Sequence, residues 1–381
     1  MVFEAGLQYN ILRSSIFYNR ESGMIIGAPK EIKKEEYRVA MTPEGASELK
    51  KDGHTILVET GAGEGSGFSD DEYLQADADI VDRATVFRKS DLIVKVKEPL
   101  PQEYDLLREG QAIFTYLHLA PNRELTELLL KKKITGIAYE TLQKDGALPL
   151  LAPMSEIAGR MAPLMGAYYL QKIHHGEGVL VTGAVGVKPA KAVILGAGVV
   201  GTNAAHVCIG LGMDTVVINK GVEKLQRLDE MFMGRVKTLP LTSHNIAEEI
   251  KDADILVGAV LVPGGRTPIL ITRDMLKTMK RGAVIIDVSV DQGGCIETSK
   301  PTTHDNPVYE VDGIIHYCVA NMPGAYPRTS TLALTNATLP YIKLLANKGI
   351  ENALRESAEI RTALNTYKGE ITNKAIAESM A

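Results

Sequence analysis

From Met24 onward, short apolar runs alternate with amphipathic ones: "MIIGA", "TPEGASELKKDG", "HTILVE", then "DLIVKVK" and "AIFTYLH". Apolar runs of this length separated by helix-length segments predict βα units feeding a parallel sheet. The first helix has legible ends, with Thr42 as N-cap, Pro43 at the first helical position and Gly53 just past the last. A second series starts near Val179, with "KAVILGAG", "DTVVIN", "DILVGAV" and "GAVIIDVSV" as strands. Their near-continuous hydrophobicity predicts a sheet buried on both faces. Between the two series, "APMSEIAGRMAPLMGAYYLQKIHHG" has helical periodicity and predicts a long connecting helix. The tail from Thr329 returns to helical patterning and is expected to pack on the first domain. The predicted fold class is α/β, with two doubly wound parallel-sheet domains, the second of Rossmann type. Residues 1–23 form an extension of unknown role, 24–150 and 321–381 make the first domain, and 151–320 make the second.

Composition narrows the partners. The 381 residues are 45% hydrophobic and 23% charged, with a formal net charge of -5. That is ordinary for a globular chain, and no Lys/Arg block offers a field for nucleic acid. Cys208, Cys295 and Cys318 lie far apart, with neither the even count of a disulfide framework nor zinc-site spacing. A reducing cytoplasm is the expected setting, with no metal. No apolar run reaches the roughly 18 uncharged residues of a membrane span. Arg13 and Arg20 precede Met24, but Glu4 and a broken apolar pattern make this stretch a poor signal peptide.

The stretch "ILGAGVVG" carries the most specific chemistry. Gly196 permits a tight turn, Gly198 lets the backbone approach a pyrophosphate, and Gly201 allows close packing of helix on strand. Phosphates would sit at the N-terminus of the helix that follows. GxGxxG alone is weak; the preceding strand and following helix give it weight. An acid is the usual residue at the end of the next strand, where it binds the adenosine ribose. Here that strand ends in Asn219, followed by Lys220. Asn219 can bond a hydroxyl but lacks the charge that repels a 2′-phosphate, so NAD is the first choice and NADP remains open.

Several further stretches occur in order: "GAPKEIKKEEYRVAMTPEG", "LIVKVKEPL", "FTYLHLAP", "GALPLLAPMSEIAGRMA", "IDVSVDQGGCIETSKPTTHDNP" and "YCVANMPGAYPRTSTLALTNATLPY". Together they resemble alanine dehydrogenase, of the family shared with the NAD-binding subunit of proton-translocating transhydrogenase. The resemblance runs from about Met24 nearly to the C-terminus. It implies a cofactor domain inserted in the chain of a substrate domain, with a cleft between them. It also implies NAD-dependent, reversible oxidative deamination of L-alanine to pyruvate and ammonia by a homohexamer. The alternative is a soluble cofactor-binding subunit of a membrane transhydrogenase.

By motif match, the resemblance makes Arg38 and Lys97 the substrate carboxylate clasp. Arg would grip both oxygens in a fork, and Lys would add a point charge. It makes His118 and Asp291 the catalytic pair. Imidazole suits proton exchange near neutrality, and Asp291 follows a strand of the cofactor sheet. Read alone, His118 would be a structural imidazole and Asp291 an Asx turn before Gly293. Cofactor contacts implied the same way are Ser155, Val199, Val200, Asn219 and Lys224, with Val260, Leu261, Val288, Asn321 and Met322 at the nicotinamide. Leu241 stands where relatives have a polar residue, and Lys300 carries little weight.

Overall fold

The computed structural model describes residues 23–260 and 267–380. The chain divides into two compact units, Met1–Pro153 with Tyr326–Ala381, and Met154–Ala325. The predicted role of residues 1–23 falls almost entirely outside the described residues, as does Leu261.

The first unit begins with β1 (Ile25–Ala28), β2 (Thr55–Glu59), β3 (Asp79–Val81), β4 (Leu92–Val94), β5 (Ala112–Thr115) and β6 (Thr135–Ala138). The helix Pro43–Lys51 starts where its cap was expected. Thr42 accepts from the Gly45 amide at 3.1 Å, and Gly53 takes a left-handed φ of 89° just past the end.

The second unit opens within the helix Ala152–Tyr169. It contains β7 (Lys191–Leu195), β8 (Asp214–Asn219), β9 (Lys237–Pro240), β10 (Ile255–Gly258), β11 (Val284–Asp287), β12 (Val308–Val311) and β13 (Ile314–Tyr317). The sheet order is β12-β13-β11-β10-β7-β8-β9, parallel except for the edge strand β12. Alternate strand residues enter opposite cores. Ala192, Ile194, Val257 and Ile286 join one cluster, while Val193, Leu195, Leu256 and Ile285 join another. Apolar cover on both faces is the physical cause of the unbroken hydrophobic runs.

The C-terminal segment supplies the helix Pro327–Lys348 and then β14 (Leu364–Tyr367) and β15 (Glu370–Ile371). The tail is therefore not wholly helical: β14 pairs antiparallel with β6 and β15 with β14. "LNTY" is too short and too polar to announce a strand, and its pairing with β6 is what makes it one. The first sheet then reads β15-β14-β6-β5-β4-β1-β2-β3.

Both sheets reverse strand order beside their first strand. The chain leaves β1 toward β2 and β3 and returns on its other side with β4, β5 and β6. It likewise leaves β7 toward β8 and β9 and returns with β10 and β11. At such a reversal the loops past the carboxyl ends of adjacent strands diverge and open a crevice. Each unit has one, and the chemistry-bearing residues of that unit gather there.

Candidate active site

In the first unit, the loop after β1 carries Glu31, Lys33, Glu36 and Arg38, and the loop after β4 carries Lys95, Lys97 and Glu98. Arg38 is 2% exposed and held by Glu36, which accepts from its Nε at 2.6 Å and its Nη2 at 2.5 Å. Burial alone would raise the Glu36 carboxyl, but the Arg38 bonds outweigh it and keep it below the usual range. Arg38 is thus a fixed, buried cation. Lys97 is half-buried, and burial reinforced by repulsion from Arg38 pulls its ammonium below the usual lysine range.

Beneath Lys97 the backbone is fixed by charge. Glu31 accepts from the amides of Val96 at 2.6 Å and Lys97 at 3.3 Å. The fully buried Lys95 spans Glu31 at 3.1 Å and Glu103 at 2.9 Å. Burial opposes the Lys95 charge, but the two carboxylates outweigh it and hold the ammonium above its ordinary value.

His118 does not end a strand. β5 stops at Thr115, and His118 lies beyond it in a left-handed conformation, φ 46°. Glu140, which follows β6, holds the backbone there. Its carboxylate accepts from the amide of His118 at 2.7 Å and from that of Leu117 at 3.2 Å. The ring is 46% exposed, with Nδ1 at 3.4 Å from Glu98 Oε2, while Lys33 sits 2.5 Å from Oε1. Burial would raise Glu98, but the bonds from His118 and Lys33 prevail and bring it to about 2. With Nδ1 turned to a carboxylate, Nε2 is the ring nitrogen placed for proton exchange.

In the second unit, the glycine loop leaves β7 at the strand reversal. Gly196 has φ 107°, and a Cβ there would stand 2.4 Å from the Ala259 carbonyl oxygen. A Cβ on Gly201 would stand 1.9 Å from the Gly196 carbonyl oxygen, whereas one on Gly198 would meet nothing within 4 Å. Two glycines are therefore required by the protein's own packing and the third faces open space. The helix Val199–Gly210 starts there without a side-chain cap, so its first amides lack an internal side-chain acceptor. This is a cradle that a pyrophosphate fits.

Asn219 is half-buried and committed to backbone. Its Oδ1 accepts from the Ala197 amide at 3.0 Å and its Nδ2 donates to the Gly221 carbonyl at 2.9 Å. Lys220 and Lys224 are exposed, and Leu241 is half-buried with its amide on the Asn219 carbonyl. Ser155 is half-buried in the helix Ala152–Tyr169. Val260 and Val288 are half-buried past β10 and β11, Met322 is buried, and Asn321 is left-handed at φ 62°. Asp291 is exposed within the short turn Val288–Gln292. Lys300 lies over the Tyr309 ring at 4.5 Å.

Motif reading missed Glu36, Glu98 and Glu140. Glu98 adjoins Lys97 in "KVKEP" and was within reach of it; Glu140, 22 residues from His118, had no local signal. Among the described residues, no helix is long and apolar enough to cross a membrane, and no cluster of His, Cys, Asp and Glu could hold a metal ion.

Two α/β units, one with a buried ionic site and the other with a dinucleotide cradle, define a nucleotide-dependent enzyme class. The model of the alanine dehydrogenase/PNT N-terminal domain matches residues 27–158, and that of the C-terminal domain residues 162–374. An alanine dehydrogenase of Methanococcus maripaludis is 52% identical over 359 residues, covering 93% of this chain and 96% of its own length. A solved L-alanine dehydrogenase superposes with a TM-score of 0.91 at 48% identity, over 93% of this chain and 99% of its own. A transhydrogenase from Sinorhizobium meliloti gives a TM-score of 0.79 at 27% identity, over 92% and 99%. The chain belongs to the alanine dehydrogenase/PNT family, in agreement with the resemblance and the α/β class expected from sequence.

Proposed function

We propose that this protein catalyses the reversible oxidative deamination of L-alanine to pyruvate and ammonia with NAD. The observation that carries this reading is Arg38, Lys97 and His118 on the loops past the carboxyl ends of β1, β4 and β5, adjacent strands of one sheet, in a chain 52% identical to an alanine dehydrogenase. Gly196, Gly198, Gly201 and the amides of Val199 and Val200 would hold the pyrophosphate, with Ser155 nearby. Asn219 and Lys224 would face the adenosine side. Val260, Leu261, Val288, Asn321 and Met322 would line the nicotinamide. When bound, NAD supplies the acceptor for the hydride that leaves the alanine α-carbon.

The chain's own groups do the rest. Lys97 and Arg38 bind the substrate carboxylate, with Arg38 kept in one orientation by Glu36. Alanine reacts after its ammonium has given up one proton to solvent, and loss of hydride from the α-carbon then makes it an iminium, which is already electrophilic. Asp291 orients water toward it and balances its positive charge. Water adds to the iminium carbon and one of its protons passes to the amine; His118 takes the remaining hydroxyl proton through Nε2 as the carbonyl forms and the C–N bond breaks to release ammonia. The same reading implies a cytoplasmic homohexamer, in which the exposed apolar side chains Ile173, Leu180, Val185 and Val187 would be covered.

Initial rates of cofactor reduction with L-alanine, for NAD and NADP separately, test the reading. Alanine-dependent reduction is expected, faster with NAD. Tight binding of either cofactor without it would favour the transhydrogenase-subunit alternative.

A further inference from the structure

The carboxylate of Asp287, at the end of β11, is fully buried and has no part in the chemistry above. It collects donors from both ends of one loop. Its Oδ1 accepts from the Ser289 amide at 3.0 Å, and its Oδ2 from the Cys295 amide at 3.0 Å and the Ser299 hydroxyl at 2.6 Å. Asp291 lies on the loop so closed. Ser289 extends the connection, because its hydroxyl accepts from the Val260 amide at 3.0 Å, past the neighbouring strand β10.

The surroundings are shaped to this carboxylate. A Cβ on Gly258 would stand 2.7 Å from Oδ1, and one on Gly294, at φ 77°, would stand 2.8 Å from Oδ2. Burial raises the Asp287 carboxyl, against the bonds from Ser299, Cys295 and Ser289, which favour the charged form. A neutral amide has one acceptor oxygen where these donors use two. Asparagine would therefore set an N–H against the Ser289 amide or against the Cys295 and Ser299 donors.

We propose that Asp287 is a positioning residue: its carboxylate ties both ends of the 289–295 loop to β11 and so fixes Asp291. This rests on the assignment of Asp291 to the reaction.

Asp287→Asn should lower kcat for alanine by on the order of 10–100-fold, the cost of misplacing a catalytic group by about an ångström. In the protein without cofactor, amide hydrogen exchange in a peptide spanning 288–296 should accelerate. Ser299→Ala, which removes one donor only, should show both effects more weakly and guards against a misfolded Asn variant. In an Asp291→Ala background, Asp287→Asn should cause little further loss, because a residue that acts through Asp291 has nothing left to position.

Unchanged kcat and exchange in Asp287→Asn, or a full further loss in the Asp291→Ala background, would overturn the proposal. If Asp291→Ala alone keeps wild-type turnover, the fault lies in the assignment of Asp291. If that variant is inactive while Asp287→Asn is normal, the positioning role alone is wrong.

Discussion

Glu98→Gln should leave a protein whose stability deficit vanishes in acid. The Glu98 side chain is 10% exposed, accepts from Lys33 and His118, and has its carboxyl brought from 4.5 to about 2. A carboxyl with a lowered folded-state pKa binds its proton more weakly in the folded chain than in the unfolded one. The stability it contributes is complete above pH 4.5 and is lost as pH falls toward 2. At about 1.4 kcal/mol per pH unit, that displacement corresponds to about 3 kcal/mol, and the remaining solvent contact reduces it to about 2–3 kcal/mol. Urea unfolding of wild type and variant at a series of pH values from 7 to 2 measures it. Near pH 7 the variant should be less stable by this amount, and the two curves should draw close near pH 2, where wild-type Glu98 is about half protonated. A constant gap across the range would mean that Glu98 contributes packing rather than charge, and would remove the Glu98–His118 contact from the account of the site.

Lys97→Ala should damage alanine and pyruvate use by about 2–5 kcal/mol in kcat/KM, the cost of removing one partner of a desolvated charge pair, while NADH titration stays unchanged. His118→Ala should lose about 10²- to 10⁴-fold in turnover at retained cofactor affinity, as steady-state rates beside binding isotherms will show. Lys95→Met should cost about 3–5 kcal/mol in denaturant unfolding, because Glu31 and Glu103 are left buried without their cation. Asn219→Asp should lower the NADP-to-NAD ratio of kcat/KM, since a carboxylate repels a 2′-phosphate and cannot replace the bond that Nδ2 gives Gly221. An unchanged ratio would place the 2′ position away from Asn219.

Much of this molecule is local and therefore legible along the chain. The cap at Thr42, the unbroken apolar runs of β7, β10 and β11, and the spacing of Gly196, Gly198 and Gly201 are written in consecutive residues, so propensity and periodicity find them. Asn219 stands out for the same reason, at a fixed distance from the glycine loop. Other features exist only because distant segments meet. "LNTY" becomes β14 because β6 offers it an open edge, and past Tyr116, whose amide reaches the Val96 carbonyl, the amides of Leu117 and His118 go to the Glu140 carboxylate. The pairing of Lys95 with Glu31 and Glu103, and of Asp287 with Ser299, depends on burial that removes water as the competing partner. Charge in a sequence does not say whether it will be solvated. Only the packed sheets, which bring the loops after β1, β4, β5 and β6 to one end, decide which carboxylates hold the cations and the histidine in place.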